Sequence, residues 1–328
     1  MTPQALHVDD ILDDPSISII VCTGAGGVGK TTTAAALGFR ATQRGRHVCV
    51  LTIDPARRLA QAMGLTELDN TPRQVTQDTG DGSLHAMMLD MKRTFDEVVE
   101  AHADPERAAQ ILKNPFYQAL SSYFAGTQEY MATEAVYRLT SDEAFDLVVV
   151  DTPPSDKAMA VVEAPDVLVK FLDHQVFKLL MGTGGRAARL LSAATQPLLR
   201  AVGRVIGSNV LNDVVNFLRA FTGMETSFRQ RAITVQKMWR SDSTAFVLVA
   251  TPTTESLNEI SRFNDELVSA GISSTALIAN GATKGVAIDA KMTDHLPEPA
   301  ADWLSWQSEL AASERVVLNA RNTDLPEV

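Results

Sequence analysis

The sequence predicts a doubly wound α/β fold, with a mostly parallel sheet and an added helical subdomain. Three observations carry that prediction. Short runs rich in Val, Ile and Leu recur along the chain and are nearly continuous rather than alternating, which suits strands buried on both faces of a parallel sheet. Helical patterns fall between most of these runs, so the connections read as strand–helix–strand crossovers. Two long helical stretches interrupt the alternation, at about Lys92–Thr140 and about Ser155–Arg240.

The elements follow in order. Ile17–Cys22 reads as the first strand, and the Ala-rich helix Thr31–Gln43 follows it and closes near Gly45. His47–Ile53 and Leu84–Leu89 are the next strands, then comes the first helical stretch, then the strand Phe145–Val150. The second helical stretch carries a break at Met181-Gly182-Thr183-Gly184-Gly185. Phe246–Ala250 and Thr275–Ala279 complete the strands. Between them Glu255–Ser269 is amphipathic and closes at Gly271, a residue type suited to the left-handed C′ position.

Within the second helical stretch, Val210, Leu211, Val214, Val215, Phe217, Leu218 and Phe221 form an apolar stripe at helical spacing. Leu168, Phe171, Leu172, Val176, Leu179 and Leu180 form another. Packing of a helical layer on itself and on the sheet explains both stripes; a groove or dimer face for an apolar partner is the alternative. The chain of 328 residues is read as one domain, 1–328, with helical insertions at about 92–140 and 155–240.

Composition narrows the function. Net charge is −11, which argues against a broad nucleic-acid footprint, because phosphate neutralisation needs clustered Lys and Arg. Arg186, Arg189, Arg200 and Arg204 fall in one stretch and read as a solvated helix face. The N-terminal segment is acidic and lacks the basic and apolar regions of a secretory signal. No apolar run reaches the length of a membrane span, so a cytoplasmic location is expected. The two cysteines, Cys22 and Cys49, form no C-x-x-C and lie in apolar runs, where they read as small buried hydrophobes.

The chemistry begins at Gly24-Ala25-Gly26-Gly27-Val28-Gly29-Lys30-Thr31. A G-x-x-x-x-G-K-[ST] run after a strand and before a helix is the context a phosphate-binding loop requires. Its glycines let backbone N–H groups wrap phosphate oxygens, and the helix N-terminus adds its positive end. Gly26, Gly27, Val28 and Gly29 supply these amides. Lys30 reaches the β- and γ-phosphates of ATP, the Thr31 hydroxyl ligates Mg²⁺, and Thr32 contacts the α-phosphate. The fold is thereby narrowed to a P-loop NTPase.

Two further strands end in acids. Phe145–Asp151 has the Walker B pattern, and ligands of such folds sit beyond the carboxyl ends of the strands, so Asp151 is expected to meet Mg²⁺ through a water. Thr152-Pro153-Pro154 stiffens the exit and can sense the γ-phosphate. His47–Ile53 leads into Asp54-Pro55-Ala56, where Asp54 is a candidate to orient or deprotonate the attacking water. Asp54 is equally suited to cap a helix that starts at Pro55.

Together these residues resemble the arsenical-pump and tail-anchored-protein-targeting ATPases, the ArsA-like branch of P-loop dimer ATPases with a deviant Walker A loop. The resemblance rests on Gly24–Thr33, Leu51-Thr52-Ile53-Asp54-Pro55-Ala56, Asp151-Thr152-Pro153-Pro154, Ala250-Thr251-Pro252 and Leu277-Ile278-Ala279-Asn280. In pattern the chain is nearest the bacterial single-domain anion-transporter-ATPase type. The resemblance implies an ATP-driven dimer with nucleotides at the interface, Asp54 as the switch I catalytic acid, Asp151 as the switch II acid on the metal side, and Asn280 on adenine. A turn residue before Gly281 is the plainer account of Asn280.

The departures from the family pattern are specific. Lys usually stands where this chain has Ala25, and it reaches the opposite nucleotide as an arginine finger does, a contribution of roughly 10³–10⁵ in rate. Low turnover by the chain alone is expected, and the dimer is either a homodimer or, as the alternative, a hetero-oligomer with a lysine-bearing paralogue. Asp156-Lys157 replaces residues that are often His or Arg, and Lys157 is a candidate compensator. As(III) or Sb(III) binding needs clustered thiolates, and a zinc-linked dimer needs a C-x-x-C; the sequence offers neither. MinD- and ParA-type relatives share the loop, but their membrane or DNA contacts need a terminal amphipathic helix or a basic surface, which the C-terminal segment does not display.

Overall fold

The computed structural model describes residues 7–54, 58–75, 80–123, 127–175, 208–284 and 298–319. The chain divides into two compact units. The first comprises Met1–Met88, Asp142–Met159 and Asp242–Val328, and the second comprises Leu89–Ser141 and Ala160–Ser241.

Among the described residues, the first unit holds one sheet of seven strands. They are β1 (Ile19–Gly24), β2 (His47–Thr52), β3 (Arg73–Gln74), β4 (Ser83–Met88), β5 (Leu147–Asp151), β6 (Thr244–Ala250) and β7 (Ser274–Ala279), in the order β3-β4-β2-β5-β1-β6-β7. Every pairing is parallel except β3 with β4. The predicted fold class is therefore the observed one. The central strands β1, β5 and β6 are buried along their whole length, which is why their sequences are nearly continuous apolar runs.

Helices α1 (Val8–Leu12), α2 (Lys30–Thr42) and α3 (Arg58–Ala62) belong to this unit. The first core joins Leu12, Leu37 and Leu59 from them to Ile20, Val50 and Val149 of the sheet. The N-terminal ends of the strands are tied together by Arg46, whose guanidinium donates to the Asp146 carboxylate at 2.9 Å and to the carbonyls of Ile17 and Asp146 at 2.8 and 2.7 Å.

The second unit is helical: α4 (Met91–His102), α5 (Pro105–Lys113), α6 (Pro115–Tyr123), α7 (Thr127–Thr140), most of α8 (Ser155–Asp173), α9 (Ser208–Phe221) and α10 (Glu225–Trp239). Its core is aromatic, with Phe95 edge-on to Tyr117 at 5.1 Å and Phe116 edge-on to Phe217 at 5.4 Å. Phe217, Leu218 and Phe221 of the predicted stripe are buried in this core, which supports self-packing as the stripe's main purpose. Val210, Val167 and Phe171 are about half exposed. Val176, Leu179, Leu180, the glycine break and the four arginines lie outside the described residues.

The first unit closes with α11 (Thr254–Ser269) and α12 (Glu298–Asn319). Gly271 follows α11 with φ +75°, as its C′ position predicts. Among the described residues, no helix is long and apolar enough to cross a membrane.

Candidate functional site

Strand register assembles the site at the carboxyl ends of the central strands. Cys22 and Thr52 both lie beside Asp151, one from β1 and one from β2. The chain leaves β1 at Gly24, where an added Cβ would collide with the Val249 carbonyl of β6, so glycine is the residue that lets the loop leave the sheet there. The loop ends at Gly29, in the left-handed region at φ 92°, which caps α2 without a side-chain bond. The first amides of α2 thus have no side-chain acceptor, the arrangement that receives an anion at a helix N-terminus.

Lys30 is buried, and its Nζ donates to the carbonyls of Gly24 and Ala25 at 3.0 and 2.7 Å. Burial lowers its pKa, while Asp151, Asp54 and Glu259 favour its charged form. Asp151 is also buried. Its Oδ2 accepts from the Thr31 hydroxyl at 2.8 Å and the Thr52 hydroxyl at 2.9 Å. Its Oδ1 is buried with no hydrogen-bond partner among the described residues. Burial pushes the Asp151 carboxyl above the ordinary range, against the pull of both threonines and Lys30. A buried carboxylate oxygen left over beside a threonine hydroxyl is a hard oxygen donor set, and it fits Mg²⁺.

Asp54 is partly exposed, with its Oδ2 3.9 Å from an Arg58 nitrogen. One cavity of about 600 Å³ is lined by Gly26, Gly27, Gly29, Lys30, Thr31, Thr32, Asp54, Arg58, Gln61, Ala62, Thr152 and Pro154. It brings together an ammonium, helix-end amides, the Thr31 hydroxyl and the Asp54 carboxylate, while Asp151 stands behind Thr31 and outside the lining. These are parts that phosphoryl transfer requires.

Over residues 17–294 the chain matches the ArsA ATPase family, described as anion-transporting ATPases. It belongs to that family. This ArsA-family chain is therefore an ATP-binding ATPase. It is 27% identical to the ATPase GET3 of Malassezia globosa over 278 residues, covering 84% of this chain and 76% of the relative. It is 30% identical to the ATPase get3 of Schizosaccharomyces pombe over 274 residues, covering 83% and 76%. It is 27% identical to an ATPase ASNA1 homolog of Cryptosporidium parvum over 257 residues, covering 78% and 63%. These relatives are eukaryotic, so they lend no support to the bacterial-type placement expected above.

Other expected residues of the ArsA-family chain fall as follows. Asn280 donates from Nδ2 to the Val28 carbonyl at 2.7 Å, and a Cβ on Gly29 would collide with that same nitrogen, so Asn280 braces the loop. Val28 is buried with Ala25 and Val249 in a small apolar cluster, which makes position 25 a packed methyl group. Lys157 is exposed and does not line the cavity. The helix expected from Pro55 is described from Arg58 onward, since 55–57 lie outside the described residues. Cys22 and Cys49 are buried, as expected from their strands. Burial is the main reason both thiols titrate far above their ordinary value, Cys49 at about 12.

Four residues were given no role in the sequence reading. Thr52 shares the Asp151 oxygen with Thr31. Ser155 donates to Glu259 of α11 and so ties the start of α8 to that helix. Arg58 and Gln61 line the cavity. Arg58 was open to discovery, because it stands four residues after Asp54 at a predicted helix start. The pairs Thr52–Asp151 and Ser155–Glu259 are each about a hundred residues apart in the chain, the first joined by the register of β2 with β5 and the second by contact between two helices.

Proposed function

We propose that the chain hydrolyses Mg²⁺–ATP as a nucleotide-switched dimer acting on a partner protein or an apolar client. The observation that carries this reading is the single cavity shared by Lys30, Thr31, Asp54 and Thr152. Gly26, Gly27, Val28 and Gly29 present amides to the phosphates. Lys30 gives up its two carbonyl partners for phosphate oxygens, and Thr32 lies on the α-phosphate side. Thr31 and Asp151 would hold Mg²⁺, Asp151 through a water. The metal, when bound, offsets charge on the phosphate oxygens.

Asp54 orients the attacking water and takes its proton. As the water oxygen bonds to the γ-phosphorus, the bond to the bridging oxygen breaks, its electron pair leaves with ADP, and the proton passes on to inorganic phosphate. Asn280 meets adenine with the rest of its amide while bracing Val28.

Dimer formation is supported by the exposure of Gly26, Gly27 and Thr32 at the cavity mouth, since phosphoryl transfer gains from water exclusion. The two compact units are read as one ATPase domain, 1–328, with the helical unit as an insertion.

A second reading is favoured by the buried methyl group of Ala25. In it the chain is a weakly active ATP-binding subunit that works with a lysine-bearing paralogue. Equal ATP turnover by the chain alone and by the mixture would remove this reading.

Calorimetry with Mg²⁺ and ATP tests the main proposal. Lys30→Ala is expected to abolish productive binding, and Asp54→Asn to preserve binding while turnover falls about 10²-fold or more. Undiminished activity in either variant removes that residue's role.

A further inference from the structure

We propose that Arg58 is a catalytic residue that engages the terminal phosphate from within the same chain. The inference rests on the nucleotide-site reading above and adds a residue to it.

The charges lining the cavity are the starting point. Lys30 and Arg58 are the cations among the lining residues, and Asp54 is the anion that borders the same volume. Lys30 is buried in the loop and bonded to two of its carbonyls. Position 25 contributes a methyl group packed on Val28 and Val249, and Lys157 lies outside the lining. A triphosphate entering beside Asp54 brings like charges together, and Lys30 alone is a poor match for both. A second cation that faces the carboxylate and the phosphate together removes that conflict.

Arg58 is built for this. Its guanidinium lies 3.9 Å from Asp54 Oδ2, and its side chain is 68% exposed, so it is held loosely enough to turn toward an arriving anion. The planar fork of an arginine suits two phosphate oxygens at once, which a lysine cannot match. Arg58 opens α3, four residues past Asp54, so the acid that handles the water and the cation that faces the phosphate ride on one short segment. During transfer Arg58 acts only as a hydrogen-bond donor. It donates N–H bonds to the γ-phosphate oxygens while the water oxygen bonds to phosphorus and ADP departs with the bridging electron pair.

A surface ion pair of ordinary kind is the competing account, and it predicts almost no effect on nucleotide binding. The test compares the full chain with Arg58→Ala and Arg58→Lys by titration calorimetry against ADP–Mg²⁺, then against ADP–Mg²⁺ with aluminium fluoride, a mimic of the transferring phosphoryl group. Arg58→Ala is expected to weaken binding of the mimic ~100-fold, the scale of one lost transition-state donor. Its affinity for ADP is expected to stay within about threefold, since a contact to the terminal group is absent from the diphosphate. Arg58→Lys should fall between. Unchanged binding of the mimic by Arg58→Ala, with wild-type affinity for ADP, overturns the role of Arg58 and leaves the nucleotide site standing. Failure of the unaltered chain to bind either nucleotide overturns the site itself and Arg58 with it.

Discussion

Thr31 and Thr52 spend their hydroxyls on one oxygen of Asp151, and the other oxygen is buried without a partner among the described residues. The two threonines stabilise the carboxylate against burial, which raises its pKa. On the proposed reading Asp151 holds Mg²⁺ in its charged form, so acid should compete with the metal at a higher pH than for an ordinary aspartate. Thr52→Val removes one hydrogen bond that favours the carboxylate, so the pKa moves further up. Mg²⁺ affinity is expected to fall about tenfold at neutral pH, the usual scale for losing an outer-shell partner, and its acid loss to begin at higher pH. Calorimetric Mg²⁺ titrations of the nucleotide-loaded protein across a pH series measure both. A profile that coincides with the wild type would show that Thr52 is only a strand residue. Lys30, Asp54 and Asp151 were legible in the sequence, because a strand end followed by a particular residue is a local pattern. Thr52 was legible as a residue and not as a partner, since its role depends on β2 and β5 lying side by side.

At the scale of elements, the long apolar strands were readable because burial on both faces leaves no other composition open to them. β3 was missed because Arg73–Gln74 is too short to show a period and pairs antiparallel at the sheet edge. The helical unit was seen as two stretches without its internal polar link. Glu134 of α7 is fully buried there and ion-paired with Arg231 of α10, which also donates to His102 and lies over the Tyr137 ring. The His102 tautomer follows from its neighbours: Nδ1–H donates to the Val98 carbonyl, so Nε2 accepts from Arg231. Burial raises the Glu134 pKa even against Arg231. A raised carboxyl pKa means that the folded state binds more protons than the unfolded state between the two values. The stability it contributes is full below the unfolded value and is lost as pH rises through the folded one. Glu134→Gln should flatten that slope in urea-melting midpoints measured across the acid range, and Glu134→Ala should cost ~3 kcal/mol by stranding Arg231. A slope shared by wild type and Glu134→Gln would mean that Glu134 titrates as an ordinary carboxylate.

For the whole molecule, the relevant quantity is its charge. Each chain carries a net charge of −11, so in the proposed dimer two chains meeting over bound nucleotide would approach against mutual repulsion. Magnesium-bound ATP adds further negative charge, and the contacts that close the site must outweigh both. Salt screens the repulsion, with a Debye length that shortens from about 30 Å at 0.01 M to about 8 Å at 0.15 M. An assembly held by oppositely charged surfaces would weaken over that range, whereas one opposed by net charge should strengthen. Sedimentation velocity with Mg²⁺ and ATP is therefore expected to show association that rises with salt from 0.01 to 0.15 M, by about threefold or more in the association constant. Lys30→Ala, expected to lose the nucleotide, should stay at the mass of one chain throughout. If the unaltered chain also stays there, with or without ATP, the dimer is lost as a homodimer. The buried methyl group of Ala25 then directs the search to a second, different subunit.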